Sequence, residues 1–253
     1  SNECSHPVKT FTIGFEESAF NEAVYAKEVA RHLGTEHHEL YVTASDAFKI
    51  IPSLPTLYDE PFADSSQIPT YLVSRLARQN ITVALSGDAG DELFGGYNRY
   101  LWGSRIWDKV KWMSPNLRST VGGIIKKIPT SVWDKSGHMF PGKYKVSLMG
   151  DKAYRMAHRL KTVDSLDDMY RSLVAEGYRE ESLVINNEVI LKTKLDNHDS
   201  ISNIDESEHR MMLWDSLTYL PDDILTKVDR AAMGVGLETR IPFLDHRVVE
   251  LAW

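Results

Sequence analysis

A single cysteine, Cys4, stands in the 253 residues. That excludes an intrachain disulfide framework and fits a reducing compartment. No apolar run approaches the roughly 18 residues of a membrane span, and the opening residues do not read as a secretory signal. The expectation is a cytoplasmic protein. A basic excess is missing too: 29 Lys and Arg against 36 Asp and Glu give a net charge of −7. Nucleic acid is a poor candidate partner, because phosphate-backbone binding needs basic stripes. The basic cluster Lys109, Lys111, Arg118, Lys126 and Lys127 is interleaved with Trp107, Trp112, Val121, Ile124 and Ile125. It reads as the wet face of amphipathic helices. Internal repeats and low-complexity segments are absent, while 42% hydrophobic residues are enough for an ample core.

The most informative stretch is ITVALSGDAGDELFGGY, residues 81–97. Its first five residues read as a buried strand. Three carboxylates follow, Asp88, Asp91 and Glu92, among glycines at 87, 90, 95 and 96. Glycines supply the positive φ or close backbone approach that such a loop needs. In an α/β protein, ligands sit beyond the carboxyl ends of strands. Clustered acids there call for a cation, and Mg²⁺ takes one or two carboxylates plus phosphate oxygens. The local reading is a metal–phosphate site; a solvated hairpin or capping loop is the plainer one.

Around it, strand and helix patterns alternate through the first hundred residues. Strands are expected at 8–15, 38–42 and 81–85, and helices at 21–33, capped by Asn21 and ended by Gly34, at 45–57, capped by Ser45, and at 68–79. This order implies a parallel, doubly wound sheet. After Tyr100 the strand signals fade into short helices, with clearer ones at 151–160, 165–176, 206–220 and 222–233. The expected division is an α/β core over 1–100 and a mainly helical part over 101–253, with the site in the cleft between them.

A second constellation lies in the run 220–245. On a helix, Asp223, Lys227 and Arg230 share nearly one face, and Asp223 and Lys227 form an i,i+4 pair. Alone, this reads as a salt-bridged surface. Asp229 and Arg230 could orient Lys227 or pair with their neighbours. Asp59, Glu60 and Asp64 could line an acceptor pocket or cap the next helix, with Ser65 and Ser66 as hydrogen-bond donors. Trp102, Trp107, Trp112 and Trp133 read as helix packing rather than a stacking platform. His37 and His38 point to opposite faces of a strand and His32 ends a helix, so no zinc site is expected.

Taken together, LSGDAGDELFGGY (85–97), DILTKVDRAAMGVGLETRIPFLD (223–245) and the weaker HLGTEHHE (32–39) and YDEPFADSSQIPTY (58–71) resemble the synthetase domain of glutamine-dependent asparagine synthetases. The DEPFADSS form looks closer to relatives from surface-polysaccharide loci, which leaves the acceptor open. The resemblance implies an ATP pyrophosphatase fold of the adenine nucleotide α-hydrolase type. It further implies activation of the aspartate side-chain carboxylate as an acyl-adenylate, followed by displacement of AMP by ammonia from an N-terminal glutaminase domain. By the same resemblance, Ile13, Ser86 and Gly87 line the adenosine pocket, Asp91 holds Mg²⁺, Asp88 serves formation of the acyl-adenylate, and Lys227 lies against phosphate. Asp64, Ser65 and Ser66 are the candidate substrate contacts.

Family members also carry, before the strand matching 8–15, a strand–loop–helix with a Ser-Gly-Gly-x-Asp-Ser pyrophosphate loop, which these residues lack, as they lack a glutaminase nucleophile. The expectation is a fragment, inactive or nearly so alone, whose exposed sheet edge favours dimerisation. Alternatives are a related adenylating enzyme, β-lactam-synthetase-like or acting on a sugar acid or peptide, and a non-catalytic binding module.

Overall fold

The computed structural model describes residues 6–16, 21–138, 148–174 and 204–253. Cys4 and the end of the helix expected at 165–176 lie outside them. Two compact units divide the chain: residues 1–90 with 219–253, and residues 91–218.

In the first unit, β1 (Lys9–Phe15) pairs in parallel with β2 (Glu36–Val42), with Ile13 opposite Leu40 and Phe15 opposite Val42. The connecting helix α1 (Ala23–Leu33) ends at Gly34, whose φ of 67° is the left-handed conformation that a Cβ disfavours. Asn21 Oδ1 accepts the Ala23 amide at 3.1 Å, although the helix begins after Glu22. Helix α2 (Ala44–Ile50) is capped by Thr43, not by the expected Ser45. Thr43 Oγ1 accepts the Asp46 amide while the Asp46 carboxylate accepts the Thr43 amide, a reciprocal capping box. The helix expected to run unbroken to residue 57 instead tightens to a 3₁₀ turn at Ile51–Ser53 and resumes as α3 (Leu54–Tyr58). Pro52 and Pro55 lack the amide protons a continuous helix needs.

Helix α4 (Gln67–Arg78) lays Ile68, Tyr71 and Leu72 against Ile13, Phe15, Leu40 and Val42. It leads to β3 (Val83–Leu85), which pairs in parallel with β4 (Glu238–Arg240) from the C-terminal stretch. Ala77, Ala232 and Leu237 form a second apolar cluster, against which Phe11, Ile81 and Ala84 pack. The fold is thus mixed α/β and mostly helical; among the described residues the strands form two separate parallel pairs, not one continuous sheet.

The second unit is helical. A short helix, α5 (Gly90–Phe94), stands at the junction, followed by α6 (Asn98–Val110), α7 (Pro115–Lys127), α8 (Thr130–His138), α9 (Met149–Thr162), α10 (Leu166–Val174) and α11 (Ser207–Leu217). Tyr100, Tyr170, Met211, Met212 and Trp214 fill its core. Within that core, the fully buried Asp215 accepts Arg99 Nε and Nη2 at 3.0 and 2.7 Å and the hydroxyls of Tyr100 and Tyr170. Burial and the neighbouring Asp215 push both phenols far above their ordinary range.

Two sequence expectations fail in this unit. Of the four tryptophans expected to pack between helices, Trp102 and Trp112 are 56% and 74% exposed while Trp107 and Trp133 are half-buried, and Trp214 packs the core. Arg118 is buried, not part of a wet face: its guanidinium donates to the Val163 carbonyl and to Asp164, and lies 5.5 Å from the Trp107 ring centre. An arginine stays charged when buried provided carbonyl and carboxylate oxygens meet its fork, and these acceptors come from the α9–α10 connection, some 45 residues away.

After unit two the chain rejoins the first through a π-helical turn, Leu220–Leu225, with Pro221 at its start, and then α12 (Thr226–Met233). A short terminal helix, α13 (His246–Ala252), is capped by Asp245. Among the described residues no helix is long and apolar enough to cross a membrane.

Candidate functional site

Directly after β3 the backbone turns at Ser86-Gly87-Asp88-Ala89-Gly90. Ser86 Oγ donates to the Asp88 carboxylate, and Ala89 takes a φ of 66°, the left-handed region where a Cβ is strained. This places Ser86 and Asp88 on the wall of a cavity of about 850 Å³ inside the first unit.

Along β1 the lining residues are consecutive, from Val8 to Phe11, and along β3 they run from Val83 to Leu85 and on to Ser86. Side chains alternate between the faces of a strand, so a cavity on one face would touch every second residue. An unbroken run means that this cavity follows the strand edges. Its floor is one stripe of α4, where Ser66, Thr70 and Ser74 recur every fourth residue. The Thr70 and Ser74 hydroxyls are spent on carbonyls one turn back, both at 2.8 Å. These two were not singled out from the sequence, although a period-four ladder of small hydroxyls was there to be read.

Lys227, on α12, completes the polar end. Only 8% of the residue is exposed, and its ammonium donates to Asp64 Oδ2 at 2.7 Å and to Ser66 Oγ at 2.8 Å. Burial pushes the Asp64 pKa up, but the hydrogen bonds from Lys227 and Ser66 outweigh it and hold the carboxyl below its usual value. Behind the lysine, the Tyr58 hydroxyl donates to the Lys227 carbonyl at 3.3 Å. Burial, with Asp64 and Asp223 nearby, pushes this phenol up to about 12.

Ser66, Ser86, Asp88 and Lys227 therefore share one cavity, although they come from sequence motifs some 140 residues apart. Asp64 stands behind the wall, bonded to two of its members. Ser65 is exposed, and Ile13 packs in the apolar cluster with Val42 and Leu72. Gly87 adjoins open space. Arg230 pairs with Asp59 at an exposed site, 3.0 Å apart.

Asp91 and Glu92 belong to the second unit and differ sharply from each other. Asp91 is exposed, and Gly96 folds so closely onto it that a Cβ there would overlap the carboxylate. The Gly96 amide also donates to the Asp91 carbonyl at 2.9 Å. Glu92 is 1% exposed and accepts the Tyr97 hydroxyl at 2.8 Å. Burial raises its pKa in spite of that bond. Of the three acids in the loop, Glu92 is thus committed to internal structure.

Chemically, the cavity combines an apolar body with a polar end made of one fixed cation, two hydroxyls and one acid. Such a site suits a ligand with a flat apolar portion and an anionic portion.

The asparagine synthase family model matches residues 1–253. Asparagine synthetase (glutamine-hydrolysing) 1 of Bacillus subtilis strain 168 is 31% identical over 249 residues, which is 98% of this chain and 36% of that protein. Asparagine synthetase (glutamine-hydrolysing) 3 of the same organism is 23% identical over 98% of this chain and 34% of its own length. The asparagine synthetase (glutamine-hydrolysing) of Bos taurus is 35% identical over 101 residues, 38% of this chain and 17% of its own. The chain spans about a third of the length of the curated relatives it matches throughout. With the two motifs meeting at one cavity and the family model matching from end to end, this chain belongs to the asparagine synthase family.

Proposed function

We propose that the chain is the nucleotide-cleaving part of an ATP-dependent, amide-forming ligase that converts aspartate to asparagine through an acyl-adenylate, using ammonia released from glutamine elsewhere in the complete protein. The supporting observation is the nearly buried Lys227 ammonium on the wall that also carries Ser86 and Asp88. Attack of a carboxylate on the α-phosphorus brings anions together, so the barrier is largely electrostatic. A lysine answers that need as a compact point charge that requires no bidentate geometry. In this reading Ser86, with Gly87 beside it, serves the adenosine and Lys227 the phosphates, whereas Ile13 packs in the apolar cluster with Val42 and Leu72 and does not line the cavity. Asp88 serves the adenylation step. Ser66, on the wall, is the candidate contact for the carboxylate substrate, flanked by Asp64 and Ser65.

Mg²⁺ fits the donor set. Among the described residues no three His, Cys, Asp or Glu side chains cluster, yet this ion needs only one or two protein carboxylates alongside phosphate oxygens. Asp91, exposed and held by the turn at Gly96, would be that ligand.

The parallel pairing of β1 with β2 and of β3 with β4 supports a single doubly wound sheet in the complete protein. One further parallel strand between the two pairs would join them into that sheet. On this reading the 253 residues alone turn over slowly or not at all.

Aspartate-dependent exchange of labelled pyrophosphate into ATP by the complete protein tests the proposal. Exchange that requires aspartate supports it, exchange that requires a different carboxylate moves the acceptor, and no exchange with any carboxylate refutes it.

A further inference from the structure

The Lys227 ammonium has three N–H groups. Among the described residues two of them are taken, by Asp64 Oδ2 at 2.7 Å and Ser66 Oγ at 2.8 Å, both from the turn that opens α4. Asp64 is itself fixed at both oxygens. Its Oδ1 accepts the Ser66 amide at 2.8 Å, and its Oδ2 accepts the Ser66 hydroxyl at 2.7 Å as well as the lysine. Lysine, aspartate and serine thus close a triangle in which each member holds the other two. Lys227 and Ser66 line the cavity, whereas Asp64 does not.

We infer that Asp64 is a positioning residue: with Ser66, which it fixes in place, it tethers the Lys227 ammonium, each accepting one of its protons, and the third is left for an anionic oxygen in the cavity. A lysine side chain is a flexible four-carbon stem, and ordering it when a ligand arrives costs entropy. Here that ordering is complete before binding, which is the condition for electrostatic preorganisation. The other groups around the lysine do not provide it. The hydrogen bonds of the ammonium go to Asp64 and Ser66, while the Tyr58 hydroxyl engages the lysine's backbone carbonyl. The inference rests on the reading that the cavity takes the phosphates of ATP.

The test pairs a spectroscopic measurement with a binding one. In ¹⁵N-lysine-labelled chain, ammonium protons held by two hydrogen bonds exchange slowly with water, so Lys227 gives a detectable resonance that Lys227→Met removes. Asp64→Asn is expected to abolish that resonance, and Ser66→Ala, which leaves the charge pair intact, to weaken it. In ATP titrations of the complete protein, Asp64→Asn is expected to weaken affinity about tenfold, the scale of a hydrogen bond to a charged group. The double variant Asp64→Asn/Lys227→Met should bind no worse than Lys227→Met alone, because Asp64 acts through the lysine. A resonance that persists in Asp64→Asn, or losses that add in the double variant, would overturn the inference. If Lys227→Met binds ATP as the native protein does, or the native protein does not bind it, the phosphate reading fails, whereas the resonance still decides whether Asp64 tethers the lysine.

Discussion

Asp64 and Lys227 stand 163 residues apart in the chain and 2.7 Å apart in space, with side chains only 18% and 10% exposed. Their pairing makes part of the protein's stability depend on pH. The Asp64 carboxyl is held below its ordinary value in the folded state. A depressed carboxylate contributes stability that is complete above the unfolded value of about 3.9 and is lost as pH falls through the folded value. Urea unfolding of the native chain and Asp64→Asn should therefore differ most near neutral pH, and the difference should shrink below about pH 4. A difference that stays constant from pH 7 to pH 3 would show that the carboxylate is not the source.

Asp215 is the corresponding point in the helical unit. It neutralises the partly buried Arg99 and accepts two tyrosine hydroxyls. Asp215→Ala leaves an arginine and two phenols without their acceptor, and removing one partner of a buried ion pair costs about 3–5 kcal/mol. Trp214, packed in the same core, reports the loss through its fluorescence during unfolding. An unchanged midpoint would mean that the cluster contributes nothing.

At the Asp91 loop, Gly96 is the position to alter. Gly96→Ala forces the Asp91 carboxylate aside, since the new methyl would occupy its place. The expected result is a higher Mg²⁺ requirement for exchange in the complete protein, with near-native affinity for ATP without the ion. An unaltered Mg²⁺ dependence would remove Asp91 from the metal site.

The sequence carried the local pieces well and the pairings poorly. The strand at β1 follows the alternation in KTFTIGF, the one expected at 38–42 begins two residues earlier at Glu36, and α1 stops where Gly34 permits a left-handed turn. The two motifs that meet at the cavity were visible as clusters of charge and glycine. What escaped depends on contacts across the chain. Arg118 is buried because the Val163 carbonyl and Asp164 meet it, and no local pattern records that. Lys227 had an obvious partner one turn earlier in Asp223, yet the structure gives it Asp64. Thr43 caps α2 in place of Ser45 because the extended backbone at Thr43, with a ψ of 162°, decides where the helix starts. Among three neighbouring acids, the commitment of Glu92 to the Tyr97 hydroxyl was likewise invisible until the fold brought the pair together.

The most direct test of the account is ATP–pyrophosphate exchange by the complete protein with Lys227→Ala. Preorganised charge of this kind is worth on the order of 10²–10³ in kcat, or about 3–4 kcal/mol, so exchange should fall by that factor while thermal unfolding shows the variant still folded. Exchange at the native rate in a folded Lys227→Ala protein would contradict the central claim that this ammonium governs nucleotide cleavage.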